Sequence, residues 1–178
     1  MPSLPWAWHI AQARASAENG YPMLRTLFFE YPDDPTSWLI EDEYLFGSDL
    51  LVAPLFEEAA HRNVYLPPGT WIDYQIGRTY TGAAWHDIPA GPIPIVVLVR
   101  NHAVIPHVAV AQHTGAIDWS DVELRVFTTD GGPATGGFAL PNGELYALEL
   151  TPTPPGYALL RDPLRGRVKW RITRAPLP

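Results

Sequence analysis

The sequence contains no cysteine and comparatively few charged residues. Without cysteine, the 178-residue chain cannot form a disulfide framework, a thiolate zinc site or a cysteine nucleophile, and it fits a reducing compartment. Charged residues make up 17% of the chain and hydrophobic residues 47%. This balance excludes intrinsic disorder, which requires low hydrophobicity and a high density of charge. The length fits one domain or two small ones.

Basic residues are also scarce, with 12 lysines and arginines against 19 aspartates and glutamates. The net charge of −7 excludes the basic surface that binding to nucleic acid or anionic lipid requires. Long hydrophobic runs are absent. The most apolar run, residues 93–99, contains a proline and is too short for the ~20 residues that span a bilayer. The first residues lack the basic-then-apolar order of a signal peptide, so we expect a soluble, cytoplasmic protein if the natural product begins at Met1.

Proline and glycine are abundant, with 20 and 14 copies, which in so apolar a chain is typical of short strands joined by turns. Residues 6–19 differ, because their apolar spacing and alanine content predict a helix that ends at Gly20. The apolar run 23–29 predicts a strand buried on both faces, and a short helix is expected to follow through Tyr44. From Leu50 onward, strand-like segments recur at roughly ten-residue spacing, which favours an antiparallel sandwich or barrel.

The order of these elements is helix, strand, short helix, and then strands only. A single domain rarely begins as α/β and ends as all-β. We therefore predict a mainly β fold class in a fragment that opens with the tail of an α/β layer. Without residues 1–48, the sandwich is expected to keep its core, with inner faces carrying Val52, Leu55, Val64, Leu66, Ile95, Val97 and Val99.

No motif in the chain predicts a catalytic, cofactor-binding or metal site. Asp33 and Asp34 are adjacent in a proline-rich turn, where side chains diverge, so a structural role is favoured over a shared acid site. The acidic run 41–43 is interpreted as a solvated face. The six histidines lack metal-ligand spacing, and the patterns of a serine-hydrolase elbow and of a dinucleotide-binding loop are absent.

Aromatic residues are numerous, with seven tryptophans, eight tyrosines and six phenylalanines. Flat aromatic rings suit contact with the apolar faces of sugars, but tryptophan and tyrosine also fill sandwich cores and domain interfaces. The sequence alone leaves both roles open.

Five sequence blocks occur in the order and spacing of a known family. They are GYPMLRTLF at 20–28, EYPDDP at 30–35, EDEYLFGSDLLVAP at 41–54, VYLPPGTWID at 64–73 and IPIVVLVR at 93–100. Over about residues 4–106 this series resembles the C-terminal third of glycoside hydrolase family 31, which includes α-glucosidases and α-xylosidases. The later stretch IDWSDVELRVF, at 117–127, is most similar to the bacterial α-xylosidase branch. The chain departs from the family pattern at Thr26, where proline is usual, and at Glu43, where glutamine is common.

The resemblance implies a (β/α)₈ barrel that carries the active site, followed by proximal and distal β-sandwich domains. Residues 1–49 would be the C-terminal remnant of the barrel and residues 50–115 the proximal sandwich. Residues 116–178 would be most or all of the distal β-domain.

The resemblance also implies retaining hydrolysis by a nucleophilic carboxylate and an acid/base carboxylate set about 5–5.5 Å apart. In the resembled enzymes both lie on the barrel, upstream of this chain, so no residue here is expected to be catalytic and the chain alone is expected to be inactive. One hypothesis is that the chain is part of a retaining α-glycosidase, an α-xylosidase that binds non-reducing-end α-linked xylose through the missing barrel. The alternative is a non-catalytic β-module that binds carbohydrate or supports a partner domain. No cofactor, metal, nucleic acid or membrane is expected as a partner, and homo-oligomerisation is left open.

Overall fold

The computed structural model describes residues 6–57, 59–91 and 93–175. Short 3-10 helices cover Pro35–Leu39 and Thr114–Ala116. The other elements are, in chain order, α1 (Trp6–Asn19), β1 (Leu24–Arg25), α2 (Leu27–Glu30), β2 (Tyr44–Phe46), β3 (Leu50–Pro54), β4 (His61–Leu66), β5 (Thr70–Asp73), β6 (Thr79–Thr81), β7 (Ala84–Pro89), β8 (Ile95–Arg100), β9 (Ala103–Val108), β10 (Asp121–Phe127), β11 (Ala134–Ala139), β12 (Leu145–Thr153), β13 (Gly156–Leu159) and β14 (Lys169–Arg174). Strands dominate, which confirms the predicted mainly β fold class. The helix predicted over residues 6–19 is also confirmed, and Gly20 follows it with φ +78°.

The described residues form two compact units. Residues 22–101 make up the first unit, and residues 6–21 together with 102–175 make up the second. The predicted division at residues 49 and 115 refers to the domains of a longer protein, and it stays a prediction.

The first unit is a sandwich of a six-stranded sheet and a two-stranded ribbon. The sheet has the order β1-β2-β3-β8-β5-β6, and β4 pairs with β7 to form the ribbon. Their facing side chains share one buried core, made of Leu45, Leu51, Ala53, Val64, Leu66, Trp71, Tyr80, Ile88, Val96 and Leu98. Burial of large side chains at roughly 1.5–3 kcal/mol each makes this core the main source of stability for the unit.

The predicted inner faces were right for the ribbon and wrong for the central sheet strands. Val64 and Leu66 lie in the core, but β3 and β8 contribute Leu51, Ala53, Val96 and Leu98 to it rather than Val52, Val97 and Val99. Those three valines are nevertheless buried. Because both faces of β3 and β8 are covered, their sequences are apolar throughout, and alternation could not identify the face that meets the ribbon.

In the second unit, α1 packs on a six-stranded sheet. The strand order is β13-β12-β11-β9-β10-β14, and α1 contacts β9, β11 and β12. Ala7, Trp8 and Ala11 are fully buried on this helix. α1 is therefore part of the folded core of this unit and not an appendage.

The alternation predicted for two strands of the second unit is confirmed, and their pairing is parallel. Val122 lies beside Trp170 and Leu124 beside Ile172, all facing the core. Parallel neighbours need a long connection, and residues 128–168 provide it.

Two predictions for the segment 22–49 were wrong. Residues 23–29 form a two-residue edge strand, β1, followed by the single helical turn α2, and not one buried strand. The short helix ends at Leu39, and Tyr44 lies in strand β2. A short apolar run does not distinguish a buried strand from a helical turn, since so few residues show no periodicity that could separate the two.

Candidate functional site

Asp34 organises the turn that begins the 3-10 helix in the first unit. Its Oδ1 accepts a hydrogen bond from the backbone N–H of Thr36 at 3.1 Å. Its Oδ2 accepts from the Ser37 hydroxyl at 3.0 Å and from the Tyr65 hydroxyl at 2.7 Å. Although burial opposes it, these hydrogen bonds lower the pKa of Asp34. The structural role predicted for this aspartate is confirmed.

A cluster of charged side chains fixes the segment around α2 to the six-stranded sheet. The Arg25 Nε donates to the Pro22 carbonyl at 2.9 Å, and its Nη1 donates to Glu30 Oε2 at 3.0 Å. On the other side, Arg100 Nη2 lies 3.7 Å from Glu30 Oε1. The Arg100 guanidinium also lies 5.6 Å from the centre of the Tyr31 ring. Glu30 is thus shared by two arginines, which is a positioning arrangement and not a pair of reactive groups.

The charges of this cluster affect the pKa values of Asp49 and Tyr31. Burial raises the pKa of Asp49, while a hydrogen bond from the Ser48 hydroxyl at 2.9 Å and the Arg100 charge lower it. Burial likewise raises the pKa of Tyr31, and Arg100 opposes that rise. Both shifts follow from removing a charged form from water.

An exposed apolar surface surrounds the same segment. We call it the α2 patch: Leu24, Phe28, Phe29, Trp38 and Leu39. Phe28 and Trp38 stack with ring centres 4.8 Å apart and planes 15° from parallel, and Trp38 is 58% exposed. Large contiguous apolar patches mark interaction surfaces, and the stacked Phe28–Trp38 pair is the contact shown within the α2 patch.

Glu43 is buried, so the interpretation of residues 41–43 as a solvated face was wrong for this residue. Glu41 and Asp42 are exposed, but Glu43 is only 4% exposed. One carboxylate oxygen, Oε1, accepts the backbone N–H of Tyr65 at 2.9 Å, and the other, Oε2, is buried without a hydrogen-bond partner in the part of the chain that the structure describes. Burial raises the pKa of Glu43 to about 7, against the hydrogen bond from Tyr65 and the charge of Arg62. The one sequence signal that pointed to this residue was its departure from the glutamine common in the resembled family.

Two histidines lie near aspartates, and a third is buried. His61 pairs with Asp87 at 3.4 Å and His102 with Asp130 at 3.4 Å. His107 is buried, and burial, with the nearby Arg125 charge, lowers its pKa to about 4. Within residues 6–57, 59–91 and 93–175, no group of three or more His, Asp or Glu side chains is arranged to hold a metal ion. None of the described helices is long and apolar enough to cross a membrane.

Taken together, these contacts fix the segment around α2 in the first unit. Its most distinctive surface is the α2 patch. The Glu30 cluster connects this segment to the six-stranded sheet through Arg100, and Asp34 connects it to the ribbon through Tyr65. The sequence analysis placed Leu24, Phe28 and Phe29 on a buried strand and Trp38 in a separate short helix, so it did not bring these side chains together. That no residue of this chain is catalytic stays a prediction.

Comparison with known proteins matches most of the first unit to a described family. Residues 20–105 match the sequence model of the glycosyl hydrolase family 31 C-terminal domain. The chain is 32% identical over 146 residues to alpha-glucosidase 2 of Bacillus thermoamyloliquefaciens, which covers 81% of this chain and 18% of that protein. It is 29% identical over 123 residues to the alpha-xylosidase XylQ of Lactiplantibacillus pentosus, which covers 67% of this chain and 16% of that protein.

A solved structure shows the same relationship in three dimensions. The dextranase of Flavobacterium johnsoniae, a family 31 enzyme solved in complex with glucose, superposes with a TM-score of 0.74 and 28% identity. The match covers 83% of this chain and 20% of the dextranase, so the chain spans about a fifth of the length of these relatives. Residues 20–105 of this chain therefore belong to the C-terminal domain family of glycosyl hydrolase family 31.

Proposed function

We propose that the chain is the C-terminal portion of a retaining α-glycosidase, and that the whole protein is an α-xylosidase acting on non-reducing-end α-linked xylose. The match of residues 20–105 to the family 31 C-terminal domain carries the proposal. Two observations support xylose as the sugar: the similarity to an α-xylosidase of L. pentosus, and the resemblance of residues 117–127 to the α-xylosidase branch. The nucleophile and the acid/base carboxylate would be supplied by a barrel that precedes this chain.

In this proposal, the α2 patch is the surface on which that barrel rests. Leu24 is 60% exposed and Leu39 is 78% exposed, so the patch is open in the isolated chain. Each large side chain that a barrel covered would gain roughly 1.5–3 kcal/mol of burial. The Glu30 cluster then serves to present the patch in one fixed orientation.

We also propose the domain division of the whole protein. Residues 1–49 would join the barrel at its C-terminal edge, residues 50–115 would form the proximal sandwich and residues 116–178 the distal β-domain. Limited proteolysis of the whole protein tests the division, since cleavage is expected near residues 49 and 115 before it occurs within the strands.

The function is tested on the protein extended upstream in its native gene. Hydrolysis of 4-nitrophenyl α-xyloside is expected to have a higher kcat/KM than hydrolysis of 4-nitrophenyl α-glucoside. A preference for the glucoside would overturn the xylosidase assignment, and inactivity on both would overturn the glycosidase assignment. The 178-residue chain alone is expected to release nitrophenol no faster than a buffer control, because it lacks both catalytic carboxylates.

A non-catalytic module remains the second candidate. An exposed tryptophan on the ribbon of the first unit, Trp85, favours it, because such a ring is a suitable platform for a sugar. The two candidates predict different results for the protein extended upstream in its gene. An α-glycosidase hydrolyses the nitrophenyl substrates, whereas a non-catalytic module binds sugar without a barrel and gives no hydrolysis.

A further inference from the structure

The sequence contains two Asn–Gly pairs, Asn19–Gly20 at the end of α1 and Asn142–Gly143 in the turn between β11 and β12. An asparagine before glycine is the least hindered site for attack of a backbone nitrogen on a side-chain amide, because glycine has no Cβ beside that nitrogen. Both asparagines are exposed, and both glycines adopt a positive φ, of +78° and +84°. What separates the two pairs is how the surrounding structure holds them.

The β11–β12 turn holds the Asn142 amide at both ends. Its Nδ2 donates to Glu144 Oε2 at 2.8 Å, and its Oδ1 accepts the Glu144 backbone N–H at 3.1 Å. Hydrogen bonds from Asn142 and Tyr146 lower the pKa of Glu144, so the acceptor is a charged carboxylate. The Gly143 N–H donates to the Leu140 carbonyl at 2.9 Å. Six residue pairs join the two strands, so the turn does not open unless the sheet ladder breaks.

The end of α1 holds Asn19 less firmly. Its Oδ1 accepts the Tyr21 N–H at 2.8 Å, but no described residue bonds its Nδ2, which is therefore free to rotate in solvent. The Gly20 N–H donates to the Ser16 carbonyl at 2.9 Å, in the last turn of the helix, where helices fray. Residues 17–20 are all exposed, whereas the fully buried residues of this helix lie in its first half.

Fraying of this last turn frees the Gly20 nitrogen to react. The nitrogen loses its proton to hydroxide and attacks Cγ of Asn19, which forms a new N–C bond and closes a five-membered succinimide ring. The Cγ–Nδ2 bond breaks, and the leaving nitrogen takes a proton from water and departs as ammonia. Water then opens the ring, giving aspartate when the bond from Cγ to the Gly20 nitrogen breaks and isoaspartate when the main-chain bond breaks. Overall, one water is consumed and one ammonia released, without oxidation or reduction.

We propose that Asn19 is a site of spontaneous deamidation, and that Glu144 protects Asn142 from the same reaction. The product places a carboxylate next to Glu18 at the C-terminal end of α1, where the helix dipole disfavours negative charge. The isoaspartate form also adds a carbon to the main chain just before Tyr21, which precedes the first unit. The modification therefore alters the segment that connects α1 to that unit. It uses only the chemistry of the peptide chain and does not depend on the proposed function.

The test is peptide mapping by mass spectrometry of the 178-residue chain during incubation at pH 8, with the conversion of amide to acid followed at each Asn–Gly pair. We expect Asn19 to react about ten-fold faster than Asn142, since ring closure at Asn142 must also break a hydrogen bond to a charged group. In urea that unfolds the chain, the two pairs should react at similar rates. Glu144→Ala, at an exposed position, should accelerate the reaction at Asn142 about ten-fold and leave Asn19 unchanged.

Three results would overturn the proposal. Asn19 could react no faster than Asn142 in the folded chain. The ratio of the two rates could be the same in urea as in the folded chain, which would assign the difference to the preceding residues, Glu18 and Pro141, rather than to the fold. Finally, Glu144→Ala could leave the rate at Asn142 unchanged. If Glu144→Ala fails to fold, the comparison of the folded and the unfolded native chain decides without any variant.

Discussion

Replacing Glu43 with glutamine should stabilise the first unit at neutral and alkaline pH. In the native chain, the Glu43 carboxyl is 4% exposed, and only one of its oxygens has a hydrogen-bond partner among the described residues. Glutamine keeps the acceptor that meets the Tyr65 N–H and removes the ionisation. The substitution therefore changes the charge with little change of shape.

The magnitude follows from the shift of the Glu43 pKa. Burial raises the pKa from 4.5 to about 7. Because the folded chain holds this proton more tightly than the unfolded chain, the stabilising effect of protonation is fully present below pH 4.5 and is lost as pH rises through 7. At ~1.4 kcal/mol per pKa unit, ionisation costs the folded state about 3 kcal/mol above pH 7. The Glu43→Gln variant avoids this cost.

The measurement is the difference in unfolding free energy between the two proteins from pH 5 to pH 8. Urea titration read by hydrogen exchange in β3 and β8 reports on the first unit alone. Asp49 and Asp73, whose pKa values burial also raises, are present in both proteins, so the difference isolates Glu43. We expect near-equal stability at pH 5 and an advantage of about 2–3 kcal/mol for the variant at pH 8.

A matched control is Glu41→Gln, which removes an exposed acid two residues away and should give a pH-independent difference near zero. The reasoning is refuted if Glu43→Gln and the native chain keep the same difference in stability at every pH. It is also refuted if the advantage of the variant appears only below pH 5.

Three further perturbations test other parts of the structure. Removing residues 1–48 should destabilise both units, contrary to the expectation from sequence, because it deletes the fully buried Trp8 and Leu45; an unchanged urea transition would contradict this. The native chain should lose stability as pH falls from 6.5 to about 4, because the unfolded chain binds a proton there that the buried His107 imidazole does not. His107→Gln should abolish this loss. A native chain whose β10 strand is as stable at pH 4.5 as at pH 7 would contradict the prediction. Trp38→Ser should lower self-association of the isolated chain in light scattering, and greater association would show that the α2 patch is not the exposed surface responsible.

The helix and most strands were predictable because local chemistry decides them. The spacing of alanines and the glycine after Asn19 define α1, and the clean alternation of residues 122–127 defines β10. Turn residues between apolar runs separated the remaining strands. In each case the information lies within a few neighbouring residues.

Two features could not be predicted from the sequence: which face of a strand meets the core, and whether a charged side chain is buried. Both depend on residues that are distant in the sequence. Leu51 and Val52 are equally apolar, and only the position of the ribbon decides which one meets the shared core. Glu43 looks like its exposed neighbours in sequence, yet the strand that carries Tyr65 covers it. Likewise, Trp85 and Trp71 are the same residue type, and only the structure shows one ring exposed and the other buried.

The proposed function is tested most directly by the stereochemistry of hydrolysis in the upstream-extended protein. Time-resolved ¹H NMR of 4-nitrophenyl α-xyloside cleavage identifies the first anomer released. The account predicts α-xylose, because two successive inversions at a nucleophilic carboxylate retain the configuration. Release of β-xylose first, or no release of xylose, would contradict it.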